Sequence, residues 1–361
     1  MSQDKKKKKK KALKPFFAQG VYGCVSYPRL RCNGKQASKK DKKRQVSKVV
    51  MDNAYTTNEI NIGKKISAFV KDVPKHMFVY FHHSCEVEKR QIEKNDTFAD
   101  TCKLLHRGTH FKILYGPYIP SITLHEHWSF VDDERLFSLY TFMLHAIGEL
   151  LKHGIVHNDL KANNILVHED DHKKYSVVDF GLSLDVEKCV FSDRVPNDYM
   201  KRMFILDLKY DYWSVEHHII CYYMKRGKIV DKDRLLSFCK YVINHSLCST
   251  IYSAEDVHDH YKDILYEDEA HVVISSLFQN SHKTWDLYSL AYICFNEIAH
   301  KTYEKDALVN LLHKALHYDY TLRPTIEQHK TLFDAISFSF SWNSSLNHWM
   351  FLFSVCTSLF Q

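Results

Sequence analysis

The stretch His157-Asn158-Asp159-Leu160-Lys161-Ala162-Asn163-Asn164, followed fifteen residues after Asn164 by Asp179-Phe180-Gly181, decides the reading of this chain. It sets a carboxylate, a cation and two oxygen-bearing metal ligands at fixed spacing. Moving a γ-phosphoryl group asks little covalent chemistry of a protein. The site must supply positioning, charge neutralisation and a carboxylate to orient the attacking hydroxyl. Asp159 suits the carboxylate role and Lys161 the stabilising cation, while Asn164 and Asp179 suit magnesium. A lone His-x-Asp would be only a polar loop. The lysine, the asparagine and Asp-Phe-Gly in register carry the reading beyond that.

With these motifs the chain resembles a eukaryotic-type protein kinase over about residues 17 to 330. The resemblance implies an α+β fold of two lobes, a small β-rich N-lobe and a larger, mainly helical C-lobe. Ala18-Gln19-Gly20-Val21-Tyr22-Gly23-Cys24-Val25 is similar to the family's glycine-rich loop, with Ala18 standing where the first glycine usually stands. Gly20 and Gly23 remain, and glycine lets backbone amides approach phosphates closely. Ala18, Gly20, Gly23 and Val25 are thus expected at the ATP site. Lys48 lies in the apolar strand Val46-Ser47-Lys48-Val49-Val50 and is the expected phosphate-anchoring lysine; Lys42 and Lys43, in a polar run, are the competing cations. Glu59 is its expected partner, on a helix whose stripe is Ile62, Ile66 and Phe69.

Composition bounds the rest. At 361 residues the chain can bury a full core. Its formal charge of +7 is concentrated: residues 1–14 hold eight lysines against Asp4, and residues 26–47 hold eight Lys or Arg against Asp41. The remaining body is mildly acidic. Runs of like charge repel, so residues 1–14 are expected to form a disordered tail. The 10 cysteines show no C-x-x-C pair and read as reduced thiols. The histidines near Cys85 (His82, His83) and the pair His258 and His260 lack zinc-type spacing and read as structural or surface groups.

The resemblance places a kinase domain at 15–336, with an N-lobe at about 15–115 and a C-lobe at about 120–336. It leaves an insertion at about 219–281 and an apolar tail at 337–361. Residues 15 to about 113 look strand-rich with one helix, and Phe111 to Tyr118 resembles a strand running into the hinge. Residues 132–152 read as an amphipathic helix capped by Asp132, with Leu136, Tyr140, Met143, Ile147 and Leu150 on one face and Gly154 at its end. Trp285 to Leu290 resembles the start of helix F, and Asp319 to Thr325 the late arginine motif. Arg323 then needs a buried carboxylate, and Glu216 is the expected partner. The apolar run Trp349 to Cys356 is too short to span a bilayer and suits a helix packed on the large lobe, with peripheral membrane contact as the alternative.

The implied function is a serine/threonine protein kinase using ATP and Mg2+, with Mn2+ as a substitute; Lys161 two residues after Asp159 matches the serine/threonine pattern. The divergent motifs look most like kinases encoded by large DNA viruses; the reading of the cysteines as reduced thiols implies an intracellular setting, host cytoplasm or nucleus, with the virion added if the chain is viral. Acidic proteins, nucleic acid or anionic membrane are the expected partners of the basic segments. The alternatives are a pseudokinase acting as a scaffold and a small-molecule kinase. Asn158 stands where regulated kinases often have arginine, which predicts activity without phosphorylation of residues 182–213, including Ser183 and Ser192. Leu208 to Val215 departs from the family.

Overall fold

The computed structural model describes residues 16–20, 23–32, 44–93, 96–192, 195–227, 232–244, 247–267, 269–298 and 306–343. The lysine-rich tail, residues 33–43 with Lys42 and Lys43, and the apolar end from 344 onward lie outside the described residues. The chain divides into two compact units: residues up to Asp72 together with Val79–Pro120, and Val73–Phe78 together with the chain from Ser121 onward.

The first unit is built on a five-stranded antiparallel sheet, in the order Phe16–Gln19, Gly23–Tyr27, Gln45–Met51, His110–Pro117, His83–Glu88. Gln45–Met51 is the central strand, and its residues from Val46 to Val50 are all buried. Period-2 alternation gives each face its own core. Val46 and Val50 pack with Tyr27, Phe81 and Leu114, whereas Val49 packs with Phe98, Phe111 and Ile113. Lys48 therefore projects on the same face as Val46 and Val50. Burying an aromatic such as Phe98 or Phe111, 0% and 1% exposed, is worth about 2–3 kcal/mol.

Helix Ala54–Phe69 starts at Asn53, whose side chain accepts from the Thr56 N–H, and buries Glu59, Ile62, Ile66 and Phe69. Gly63 lets this helix approach the Phe81 carbonyl; a Cβ there would lie 2.1 Å from that oxygen. The expectation of one helix in this region needs correcting. Lys89–Ile92 and Asp96–Thr101 are also helical, but a turn or so of helix is too short to show a periodic apolar stripe.

The cysteines require a second correction. Cys24 is bonded to Cys102 and Cys32 to Cys85, with Cα separations of 5.8 and 6.0 Å. These pairs are 78 and 53 residues apart in sequence, so no local spacing announces them; the sheet and the short helices bring them together. Among the described residues Cys189, Cys221, Cys239 and Cys294 form no disulfide.

The second unit is mainly helical. Asp132 caps helix Asp133–Lys152 by accepting from the Arg135 N–H at 2.9 Å. Leu136, Tyr140, Met143, Ile147 and Leu150 are all buried, and Gly154 follows the helix at φ 64°. The short strand Ile155–Val156 pairs with Leu184–Asp185, and Ile165–His168 forms a hairpin with Tyr175–Val178. Helices Val215–Arg226, Lys232–Asn244, Ala254–Glu267 and Ala270–Ser281 precede the buried helix Trp285–Ile298. The expected insertion boundary at 219 thus falls inside a helix. Ile326–Asn343 runs past 337, where the tail was expected to begin. Among the described residues no helix is long and apolar enough to cross a membrane.

Candidate active site

Within the first unit, the strands Phe16–Gln19 and Gly23–Tyr27 form a hairpin in which Ala18 faces Val25 across the ladder. The Gly20 N–H donates to the Gly23 carbonyl at 2.8 Å. The two glycines differ in what holds them. A Cβ at Gly23 would lie 2.9 Å from both the Val49 carbonyl and a Val50 methyl, so packing alone demands glycine; at Gly20 the nearest described atom would be 3.8 Å away.

Lys48 Nζ donates to both carboxylate oxygens of Glu59, at 2.8 and 3.0 Å. The side chains of this pair are 8% and 5% exposed. Residues 48 and 59 meet because the lysine shares a sheet face with Val46 and Val50 and the helix presents Glu59 beside Ile62. The Lys48 ammonium also lies 5.9 Å from the Phe81 ring centroid. Dehydrating two charges is costly, and the two-point geometry offsets that cost.

In the second unit, the loop after Ile155–Val156 is fixed from several sides. His157 Nε2–H donates to the Val178 carbonyl at 3.0 Å, which leaves Nδ1 to accept from the Asp159 N–H at 3.3 Å. Its ring centroid lies 4.9 Å from that of Phe180, which is itself buried. Asn158 takes φ 62°, a left-handed conformation that costs energy in a non-glycine residue. Asp286 holds it there, accepting from the N–H groups of His157 at 2.6 Å and Asn158 at 2.9 Å. Trp213 Nε1–H donates to the Asn158 carbonyl at 2.8 Å, and Asn158 Nδ2 donates to the Leu182 carbonyl at 3.2 Å. Burial pushes the Asp286 carboxyl above the usual carboxylate range, while the facing His157 and the two N–H donors pull the other way.

Asp159 is 3% exposed. Lys161 Nζ donates to its Oδ1 at 2.9 Å and Oδ2 at 3.1 Å. Asn164 Nδ2 donates to the Asp159 Oδ2 at 2.9 Å and to its backbone carbonyl at 2.8 Å. The Tyr210 hydroxyl donates to Asp159 Oδ1. With Asn164's amide nitrogen committed to Asp159, its oxygen is the atom left for a cation. The register pairing Ile165 with Val177 puts Asn164 and Asp179 at the same end of the hairpin. Asp179 adopts φ 67°, a second left-handed non-glycine residue at the same place.

The structure brings Lys48 to Glu59 and gathers Asp159, Lys161, Asn164 and Asp179 around one loop and one hairpin end. Three contributors escaped the sequence reading: Asp286 and Trp213, which hold the loop, and Tyr210, which bonds the carboxylate. Asp286 lay within a recognised motif whose contact was invisible. The others lie in Leu208 to Val215, a segment noted as departing from the family, where the aromatic density of Tyr210-Asp211-Tyr212-Trp213 was a further trace.

A β-rich N-terminal unit with a buried lysine–glutamate pair, and a helical unit carrying this loop, define a protein-kinase fold. The chain matches the family profile described as protein kinase domain over residues 16–332. It therefore belongs to that family. No curated protein matches the sequence.

Proposed function

We propose that the chain is a serine/threonine protein kinase, transferring the ATP γ-phosphate to hydroxyls of protein substrates, and that it is of the divergent kind encoded by large DNA viruses. The observation that carries this reading is the Asp159 carboxylate, buried and bonded at both oxygens by Lys161 and at one by Asn164. A scaffold has no physical use for a base, a cation and a metal-ligand set arranged this way. Asp159 orients the acceptor hydroxyl and takes its proton. Lys161 turns from Asp159 to the moving phosphoryl group, and Lys48, aligned by Glu59, anchors the ATP phosphates. The Gly20–Gly23 turn covers those phosphates.

Asn164 and Asp179 offer one amide oxygen and one carboxylate, a hard-oxygen set that suits Mg2+, which usually completes its shell with water and phosphate oxygens. They would hold the ion, with Mn2+ as a substitute, and the bound ion supplies neutralisation of the phosphate charge. Lys161 two residues after Asp159 supports serine and threonine as acceptors. Host cytoplasm or nucleus is the setting that a supply of ATP favours, whereas the Cys24–Cys102 and Cys32–Cys85 pairs weigh against a reducing compartment.

The basic segments 1–14 and 29–44 supply an electrostatic address for acidic proteins, nucleic acid or anionic membrane, and attachment through them weakens steeply with salt. Radiolabelled ATP with Mg2+ and a peptide library tests the central reading. Label on serine and threonine is expected. Label confined to tyrosine or to small molecules, or nucleotide binding without transfer, overturns it.

A further inference from the structure

The segment between helices Asp198–Met203 and Val215–Arg226 makes two tight turns, with the Tyr210 N–H bonded to the Asp207 carbonyl and the Trp213 N–H to the Tyr210 carbonyl, each at 3.2 Å. Trp213 anchors it to the Asn158 carbonyl, and the Tyr210 ring packs against Trp213 with centroids 4.6 Å apart. The phenol is thereby delivered to the catalytic carboxylate. It donates to Asp159 Oδ1, lies 3.5 Å from Lys161 Nζ, and puts its ring 5.5 Å from that ammonium. Asn164 holds the other carboxylate oxygen, so Asp159 is fixed from both ends.

We infer that Tyr210 is a positioning residue for phosphoryl transfer. Its hydroxyl keeps the Asp159 carboxylate in its rotamer when Lys161 leaves for the phosphoryl group, and its ring face gives Lys161 a second, weaker resting place. Without the hydroxyl, Oδ1 loses its only fixed neutral donor among the described residues, and the carboxylate, held at Oδ2 by Asn164, is freer to rotate about its Cβ–Cγ bond. A slightly displaced catalytic group can cost up to about a hundredfold in rate.

This inference rests on the proposed function, and one set of variants separates the two. Tyr210→Phe keeps the ring against Trp213 and removes only the hydroxyl. Single-turnover transfer to a serine peptide at saturating MgATP is compared for parent, Tyr210→Phe and Asp159→Asn, with KM values and melting curves alongside. Tyr210→Phe is expected to melt with the parent, keep both KM values within about twofold, and lose roughly ten- to a hundredfold in transfer rate. An unchanged rate would make the hydroxyl idle, and a faster one would make it an obstruction to substrate; either overturns the inference while leaving the kinase reading intact. Full activity in Asp159→Asn would instead remove the reading beneath it. If Tyr210→Phe melts early, restoring its melting point with bound nucleotide and finding normal transfer would also contradict the inference.

Discussion

Arg323 and Glu216 form a two-point ion pair across 107 residues of sequence, Nη1 to Oε1 at 2.6 Å and Nη2 to Oε2 at 2.9 Å. Both side chains are 0% exposed. Glu216 also accepts from Ser214 and from the Trp285 indole, so it ties the end of the segment preceding helix Val215–Arg226 to helix Trp285–Ile298. Removing one partner strands the other charge in the core. Glu216→Ala should cost about 3–5 kcal/mol of stability, whereas an exposed pair such as Arg202 with Asp198 should cost under about 1. Denaturant titration of the two variants checks the contrast, and equal small losses would refute it.

Asp286 answers for the left-handed backbone of Asn158. In Asp286→Asn one of the two acceptor oxygens becomes an NH2 facing a backbone N–H, and the loop carrying Asp159 is released. Transfer should fall about a hundredfold, more steeply than any change in ATP binding. A steady-state comparison with a nucleotide-binding titration separates the two effects.

Acid should weaken the helical unit in a definite window. Burial lowers His218 and His329 to about 4, from the ordinary 6.5. Both imidazoles stay neutral in the fold, and His329 Nε2 shares a hydrogen bond with the Tyr140 hydroxyl at 2.7 Å. The unfolded chain takes up these protons first, so stability is full above about pH 6.5, falls as pH drops toward 4, and levels off below. Each contributes about 2 kcal/mol of loss between pH 7 and pH 5. Denaturant midpoints for parent and His329→Gln across that range should show a shallower slope in the variant; parallel slopes would contradict the assignment.

The two cysteine pairs constrain the β-rich unit. Closing a loop of this length stabilises by about 4 kcal/mol on chain-entropy grounds. Cys24→Ser with Cys102→Ser should lower the melting point of that unit, and a reductant should lower the parent's midpoint toward it. A midpoint indifferent to reductant would argue against the pairing.

Much of the site was legible in sequence because the motif residues are close together in the chain. Asp159, Lys161 and Asn164 sit within six positions, and one hairpin adds Asp179. The Lys48–Glu59 pair was legible through the family resemblance, and Arg323 because a charge in an apolar setting demands a partner, for which the resemblance offered Glu216. The sequence was silent where a contact depends on tertiary packing without a charge imbalance to announce it. Tyr210 reaching Asp159, Asp286 reaching the Asn158 N–H and Cys24 reaching Cys102 are of this kind. Ser183, counted among the loop serines open to phosphorylation, is fully buried and donates to the His157 carbonyl at 3.0 Å. Its hydroxyl is a structural bond of the site, and the expectation of activity without loop phosphorylation now turns on the other residues of that segment.

The most direct measurement is phosphate transfer by Asp159→Asn and Asp179→Asn, each matched to its melting curve. Neither change alters packing volume. The account predicts melting close to the parent, with transfer reduced by several orders of magnitude in both and with magnesium dependence lost first in Asp179→Asn. Transfer at the parent rate in either variant, with the fold intact, would contradict it.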